Sequence, residues 1–514
     1  MPAEEPATQS ARPPANFAKQ AVVVIHGIGE QIPMDTLKGF VRAAWETDTQ
    51  ITDNGMPQPA EVWSKPDQRT GSFELRRITT RQSMATPTFP DISGDAGSGG
   101  VRTDFYELYW ADLSASSTLE QLGTWIAGLL MRNPFTRVPR SVRSAWVFLW
   151  IVSLAIVYLL LAPVLTPTGR LWRFYPYGWM QDWQPWILPI IGALLAWVAN
   201  CYLLAYAGRV VRYTRATPEN IAARKDIRER GLALLDSLHE AEYERIIVVG
   251  HSLGSILGYD LISYFWARRL ASHTVTEGSR AFEALRCVEE TLAAYGESHA
   301  DSDLEQFRKA QRIFCRELRR RPKSVAPAGM QPTAKATDEQ TDPRWLITDF
   351  VTLGSPLTHA DFLLASDTAS LQARVDTRDY PIAPPVREVL DKKFFQPAKN
   401  AGLPLSPARQ PELLSFKFPP ANWQTHHAAP FAAVRWTNIY DPARFIFCGD
   451  LISGPLAGPF GRAIVDVNLA QIRGQSWTFT HTKYWELDDA NAPPPAHIVE
   501  LRRALNLAGQ VEDV

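Results

Sequence analysis

The sequence predicts an α/β fold built on a mostly parallel sheet, and three observations carry that expectation. Short apolar runs rich in β-branched residues recur along the chain: Ala21–Ile25, Arg245–Val249, "WLITDFVTL" from Trp345, and "VRWTNIY" from Val434. They are apolar on both faces, as strands covered by helices on both sides must be. Helical segments separate them, and several runs end in glycine turns, so strand and helix alternate as in a parallel sheet.

Taken in order, "AVVVIHGIGE" gives a buried strand and a glycine turn, and "KGFVRAAWE" a helix. Arg69–Thr80 and Val101–Trp110 are extended segments on either side of the Gly/Ser loop 93–100. Thr118–Asn133 reads as an amphipathic helix and Pro218–Ala241 as a charged one. After Arg245–Val249 come a Gly-Ser-Gly turn and a helix to about Leu270. Ala271–Arg321 is charged and helical, and Pro322–Pro343 has the composition of a linker. Ala463–Leu469 is a further strand and Ala496–Leu507 the last helix.

A chain of 514 residues with net charge −1 gives no electrostatic case for a nucleic-acid partner. Its four cysteines are scattered without metal-ligand spacing, which argues against a disulfide framework. The Pro- and Ala-rich start lacks the basic and apolar regions of a secretory signal and is expected to form a disordered arm over 1–18.

Two stretches, Ser144–Gly169 and Trp183–Gly208, each run 26 residues without a charge. At about 1.5 Å per residue either exceeds the roughly 20 residues that cross a bilayer. Arg132, Arg137, Arg140 and Arg143 precede the first, and Arg209, Arg212 and Arg215 follow the second. The aromatic loop between them has few charges, which places both outer ends in the cytoplasm. The expectation is a two-span hairpin within 132–215, spans near 145–166 and 185–207, inserted in a domain facing the cytoplasm. The rest divides into 19–131, 216–270 and 346–514, with a helical insertion and linker at 271–345.

The stretch "IIVVGHSLGSILG" places Ser252 between Gly250 and Gly254, after a buried strand and before an apolar helix. A G-x-S-x-G pattern arises by chance in roughly one chain in ten of this length, so the weight lies on its strand–turn–helix setting. A serine hydroxyl needs a base, a group orienting that base, and donors for an oxyanion. A sharp turn lifts it above the sheet, and flanking glycines let backbones pass closely.

With "VVVIHGIGE", "VVGHSLGS", "VTLGSPL", "VRWTNIYDP" and "FTHTKYW" in that order, the chain resembles the α/β-hydrolase superfamily, particularly its lipases and esterases. The resemblance implies that Ser252 is the nucleophile, with an oxyanion hole formed by the backbone of Leu253 and of Gly27 or Ile28. His26 is expected to support that turn, and His26, His251 and Ser355 to line the cleft against substrate, with His359 nearby. The acid should follow a late strand; "NIYDP" nominates Asp441, with Asp450 in "FCGD" as the rival. The base should follow the acid. His481 and His497 both qualify, and His481, before "TKYW", is favoured over His497 at the head of the last helix. His426 and His427 read as loop residues and Asp260 as a helix residue behind the turn. The resemblance also puts a cap at 271–345, expected as a lid.

The expected activity is hydrolysis of carboxylic esters, lipids or other hydrophobic acyl esters, through an acyl-enzyme. No metal or other cofactor is expected, and the partners are the substrate and the bilayer. An acyltransferase or thioesterase using the same triad, and an inert membrane scaffold of the same fold, are the alternatives.

Overall fold

The computed structural model describes residues 18–27, 32–51, 62–70, 74–83, 101–114, 127–128, 130–135, 138, 143–165, 190–192, 213–214, 218–320, 344–389, 412–418, 422–443, 448–487 and 492–509. Residues 1–17 of the expected arm, most of the segment 118–133 and the expected linker 322–343 lie outside these residues.

Eight strands form one sheet: β1 Lys19–Ile25, β2 Val62–Pro66, β3 Arg76–Gln82, β4 Arg102–Leu108, β5 Arg245–His251, β6 Ile347–Leu353, β7 Arg435–Tyr440 and β8 Val465–Asn468. Their order is β8-β7-β6-β5-β1-β4-β3-β2. All neighbours pair in parallel from β8 to β4; β3 and β2 are antiparallel and close one edge. The expected α/β class with a mostly parallel sheet is therefore present. The antiparallel strand β2 was not foreseen, because its residues are largely exposed and its sequence "VWSKP" carries little apolar signal.

Strand alternation sends Ala21, Val23 and Ile25 of β1 to one face and Val22 and Val24 to the other. On the first face lie α3 Pro218–Glu240, α4 Leu253–Arg268, α5 Arg280–Ser298 and α6 Asp301–Arg319. On the second lie α1 Asp35–Val41 and α7 Ala496–Leu505. α6 buries Leu304, Phe307, Ala310, Gln311, Phe314, Cys315 and Leu318, a helical stripe. The α5–α6 pair is thus part of the main core, not the expected lid. Its polar contacts reach the amino ends of the strands: Arg312 bonds Asp349, and Arg308 bonds the carbonyls of Ala463 and Ile464.

The first uncharged run is helical as α2, Arg143–Leu165, with side chains described only in part, up to Val157; the second run is described only at 190–192. Among the described residues no helix is long and apolar enough to cross a membrane, so the expected two-span hairpin has no support from the structure. On α2, Val147, Phe148, Ile151, Leu154 and Val157 are 43–59% exposed.

A buried ion cluster fixes the register of the three strands beside β1. Asp349 of β6 accepts from Arg245 of β5 at 2.6 Å, from Arg435 of β7 at 2.8 Å and from Arg312 at 3.4 Å. Burial raises the cost of that carboxylate, yet three guanidinium groups hold it well below the ordinary aspartate range. Asp349→Ala leaves those cations facing one another in a dry site, and is expected to cost about 3–5 kcal/mol of unfolding free energy in urea titration.

Glu107, near the end of β4, is buried and accepts from the N–H of Met34, the left-handed residue before α1. Burial pushes its carboxyl up to about 7 despite that bond, with Asp35 adding to the rise. The folded state then holds a proton that the unfolded chain releases near pH 4.5, so this group's contribution falls as pH rises from about 4.5 to 7 and is flat above. Glu107→Gln should match wild type at pH 4.5 and be about 1–3 kcal/mol more stable at pH 8.

Candidate active site

The turn after β5 carries Ser252 at φ 52°, ψ −127°, a conformation that non-glycine residues adopt rarely. Bonds hold it there: Ser252 N–H donates to Leu353 O at 2.9 Å, and its own carbonyl accepts from Ser255 N–H at 2.9 Å and Ser255 Oγ at 2.6 Å. The glycines around it have a steric cause. A Cβ on Gly254 would stand 2.2 Å from the Ile25 carbonyl oxygen, and one on Gly250 2.5 Å from Ser255 Cα. A Cβ on Gly27 would meet Ser252 Cβ at 2.7 Å, so the β1 loop lies directly against the serine.

His481 lies beside it, with Nε2 2.9 Å from Ser252 Oγ and Nδ1 2.9 Å from Asp450 Oδ2. Asp450 is fully buried. It also accepts from Tyr484 Oη at 2.8 Å and from Ile452 N–H at 2.9 Å. Burial alone would raise its pKa, but the bonds from His481, Tyr484 and Ile452 outweigh it and hold the carboxyl below the ordinary range. With Asp450 ionised, Nδ1 of His481 is the protonated nitrogen and Nε2 is the acceptor for the serine hydroxyl.

The carboxylate that reaches His481 is therefore Asp450, not Asp441. Asp441 follows β7 as expected, but its Oδ2 accepts from Arg473 at 2.7 Å and Thr480 Oγ1 at 2.8 Å. Pro442 and Asp450 pair as an isolated parallel bridge, and Asp450 N–H bonds the Asp441 carbonyl at 2.8 Å. That pairing places the later aspartate next to the histidine.

The residues expected to line the cleft hold the scaffold instead. His26 stacks on Trp110, bonds the Gly27 carbonyl through Nδ1 at 2.8 Å and accepts from Trp110 N–H at Nε2. His251 is buried and donates from Nε2 to the His481 carbonyl at 2.8 Å; burial, then the neighbouring His481, pushes it down to about 3, so it stays neutral. Ser355 is fully buried, 2.7 Å from Ser255 Oγ. His359 lies 3.4 Å from Leu451 O, His497 bonds Glu486 O, and Asp260 binds Arg228 and Tyr213. His426 bonds Val386 O. Leu253 opens α4, where a helix leaves amides without intrahelical acceptors. Gly27 is in place beside the serine, and Ile28 lies outside the described residues.

Sequence reasoning gave no role to Tyr484, whose hydroxyl sits between Asp450 Oδ2 and Ser453 Oγ. Its signal was within reach, since "HTKYW" puts it three residues after the histidine. Gly354, at φ 59°, makes room for this group; a Cβ there would stand 2.6 Å from the Tyr484 ring and 2.9 Å from Asp450 Oδ2. Among the described residues no group of His, Cys, Asp and Glu side chains is arranged to hold a metal ion. Comparison with protein-family models, with curated proteins and with solved structures finds no match.

Because Gly254 meets backbone rather than a flexible side chain, Gly254→Ala should be worse than ordinary overpacking. A loss above about 3 kcal/mol in chemical unfolding is expected, against the usual 1–3 kcal/mol.

Proposed function

We propose that the protein is a serine hydrolase of α/β-hydrolase type that cleaves carboxylic esters with hydrophobic acyl groups. The observation that carries this is the unbroken chain Ser252 Oγ–His481–Asp450, set on a strained turn at the carboxyl end of β5. Ser252 Oγ attacks the acyl carbon while its proton passes to His481 Nε2. The leaving alcohol takes that proton as the acyl–oxygen bond breaks, which leaves an acyl-serine. Water then attacks, again deprotonated by Nε2, and Ser252 regains its proton as the acid departs. Asp450 keeps Nδ1 protonated and balances the imidazolium formed in each step. The amides of Leu253, at the head of α4, and of Gly27 are the donors this reading assigns to the oxyanion.

A hydrophobic substrate fits the surroundings. Phe479, whose ring centre lies 6.0 Å from that of His481, and Trp477 are largely exposed at 42% and 69%. Attachment to a membrane through the segment after Arg143 belongs to the same reading, supported by the uncharged runs and the exposed apolar side chains of α2. Ester lipids would then reach the site from the bilayer.

Fluorophosphonate labelling and ester turnover test the reading. Labelling is expected in wild type and absent in Ser252→Ala. Asp450→Asn should lower turnover by about 10⁴-fold, whereas Asp441→Asn should stay within about tenfold of wild type. No labelling of folded wild type, or equal losses in the two aspartate variants, would overturn it.

A further inference from the structure

On the side of α4 away from the sheet lies a cavity of about 560 Å³, within the range of small-molecule pockets. It is lined along α4 by Ile256 to Ala267, beginning one turn after Ser252, and Ser252 itself is not among its lining residues. Its wall is unusually basic: five arginines, at 132, 224, 228, 374 and 378, against the carboxylates of Asp260 and Asp379. Some of that charge is balanced. Arg228 binds Asp260 at 2.6 Å, Arg378 binds Glu388 at 2.7 Å, and Arg374 reaches Asp379 only at 3.7 Å. Arg224 has no carboxylate partner among the described residues; it faces the Tyr213 ring at 5.9 Å, and its Nε–H is buried without an acceptor. A partly enclosed cavity whose wall carries a guanidinium group that no described carboxylate meets attracts an anion, and the planar donor fork of arginine matches phosphate oxygens.

We propose that this pocket binds a phosphate-bearing ligand. The setting offers two sources of that phosphate. Arg132 connects the pocket to the segment leading into α2, and Trp150 Nε1 of α2 donates to the Leu130 carbonyl at 3.1 Å. The apolar side of α2 therefore begins near the basic pocket, an arrangement that suits a phospholipid with its headgroup in the pocket and its chains along the helix. A free phosphorylated molecule offers the same group without the chains. The triad plays no part in this assignment.

Calorimetric titration with glycerol 3-phosphate, and flotation with phosphatidylcholine vesicles with and without phosphatidic acid, test it on the full chain. Arg224→Gln and Arg374→Gln serve as variants, each checked for an unchanged unfolding midpoint; should one fail to fold, the other decides. Binding to at least one phosphate probe is expected, weakened about tenfold in each folded variant. Saturable binding of glycerol 3-phosphate with no gain from phosphatidic acid identifies a free phosphorylated ligand. A gain from phosphatidic acid alone identifies a lipid headgroup. Absence of binding to both probes in wild type, or unchanged binding in folded variants, overturns the proposal. Fluorophosphonate labelling of Ser252 reads out separately, so failure of one assignment is distinguishable from failure of the other.

Discussion

The contact on which the site depends is that of the β5–α4 turn with the end of β1. Gly254 rests against the carbonyls of Ile25 and His26, and Gly27 rests against Ser252. Neither approach leaves room for a side chain. The result is that the first turn of α4 and the backbone from Ile25 to Gly27 pack against each other at Ser252. The serine's positive φ costs about 1–3 kcal/mol, and it persists because Leu353 and Ser255 fasten its backbone from both sides.

The histidine half of the site is built on the opposite face and needs its own support. His251 holds the His481 carbonyl from the serine turn, while Trp485 packs edge-on to His251 and to Phe40 of α1. Tyr484 fills the space left by Gly354 and bonds Asp450. These contacts bring β5, β6, α1 and the late loop to one place. At the other end of the strands the Arg245–Asp349–Arg435 cluster ties β5, β6 and β7 together, so register errors there would carry the triad out of line.

Much of this was legible in the sequence, for identifiable reasons. Ser252 was marked by local signals, a β-branched strand and two glycines, and each has a steric cause in the fold. Chain order left His481 and His497 open, and the resemblance of "FTHTKYW" favoured His481. Asp441 misled because a strand end predicts where the backbone is, while the choice of carboxylate depends on the pairing of Asp450 beside Pro442, which chain order does not reveal. His26, His251 and Ser355 sit near the serine as expected. Proximity along the chain does not reveal that their hydrogen bonds are spent on backbone or on a neighbouring hydroxyl. The place of 271–321 between the serine turn's helix and the next strand suggested, by resemblance, a cap over the cleft, but the stripe from Leu304 to Leu318 is apolar at helical spacing and is buried in the core. The two uncharged runs were the plainest feature of the sequence, and they fall largely where the described residues do not test them.

Among the described residues Asp441, Asp450, His26, His251, His359 and His481 crowd this end of the sheet, yet it is Asp450 and His481 that are bonded in line with Ser252. Asp441 is paired with the guanidinium of Arg473, so its charge is balanced before His481 is considered. Asp450 is met by His481, by the Tyr484 hydroxyl and by the Ile452 amide, and among the described residues no arginine or lysine is bonded to it. The His481 ring thus stands between the serine hydroxyl and a buried carboxylate. His251 cannot compete, because its burial keeps it neutral and its Nε2–H is committed. His26 cannot either, since Trp110 N–H occupies the lone pair that would take the proton. The second aspartate is thus no redundant copy of the first. By engaging Arg473 and Thr480, Asp441 holds the residue next to His481 in place and keeps the arginine's charge on its own carboxylate, leaving Asp450 to face the histidine.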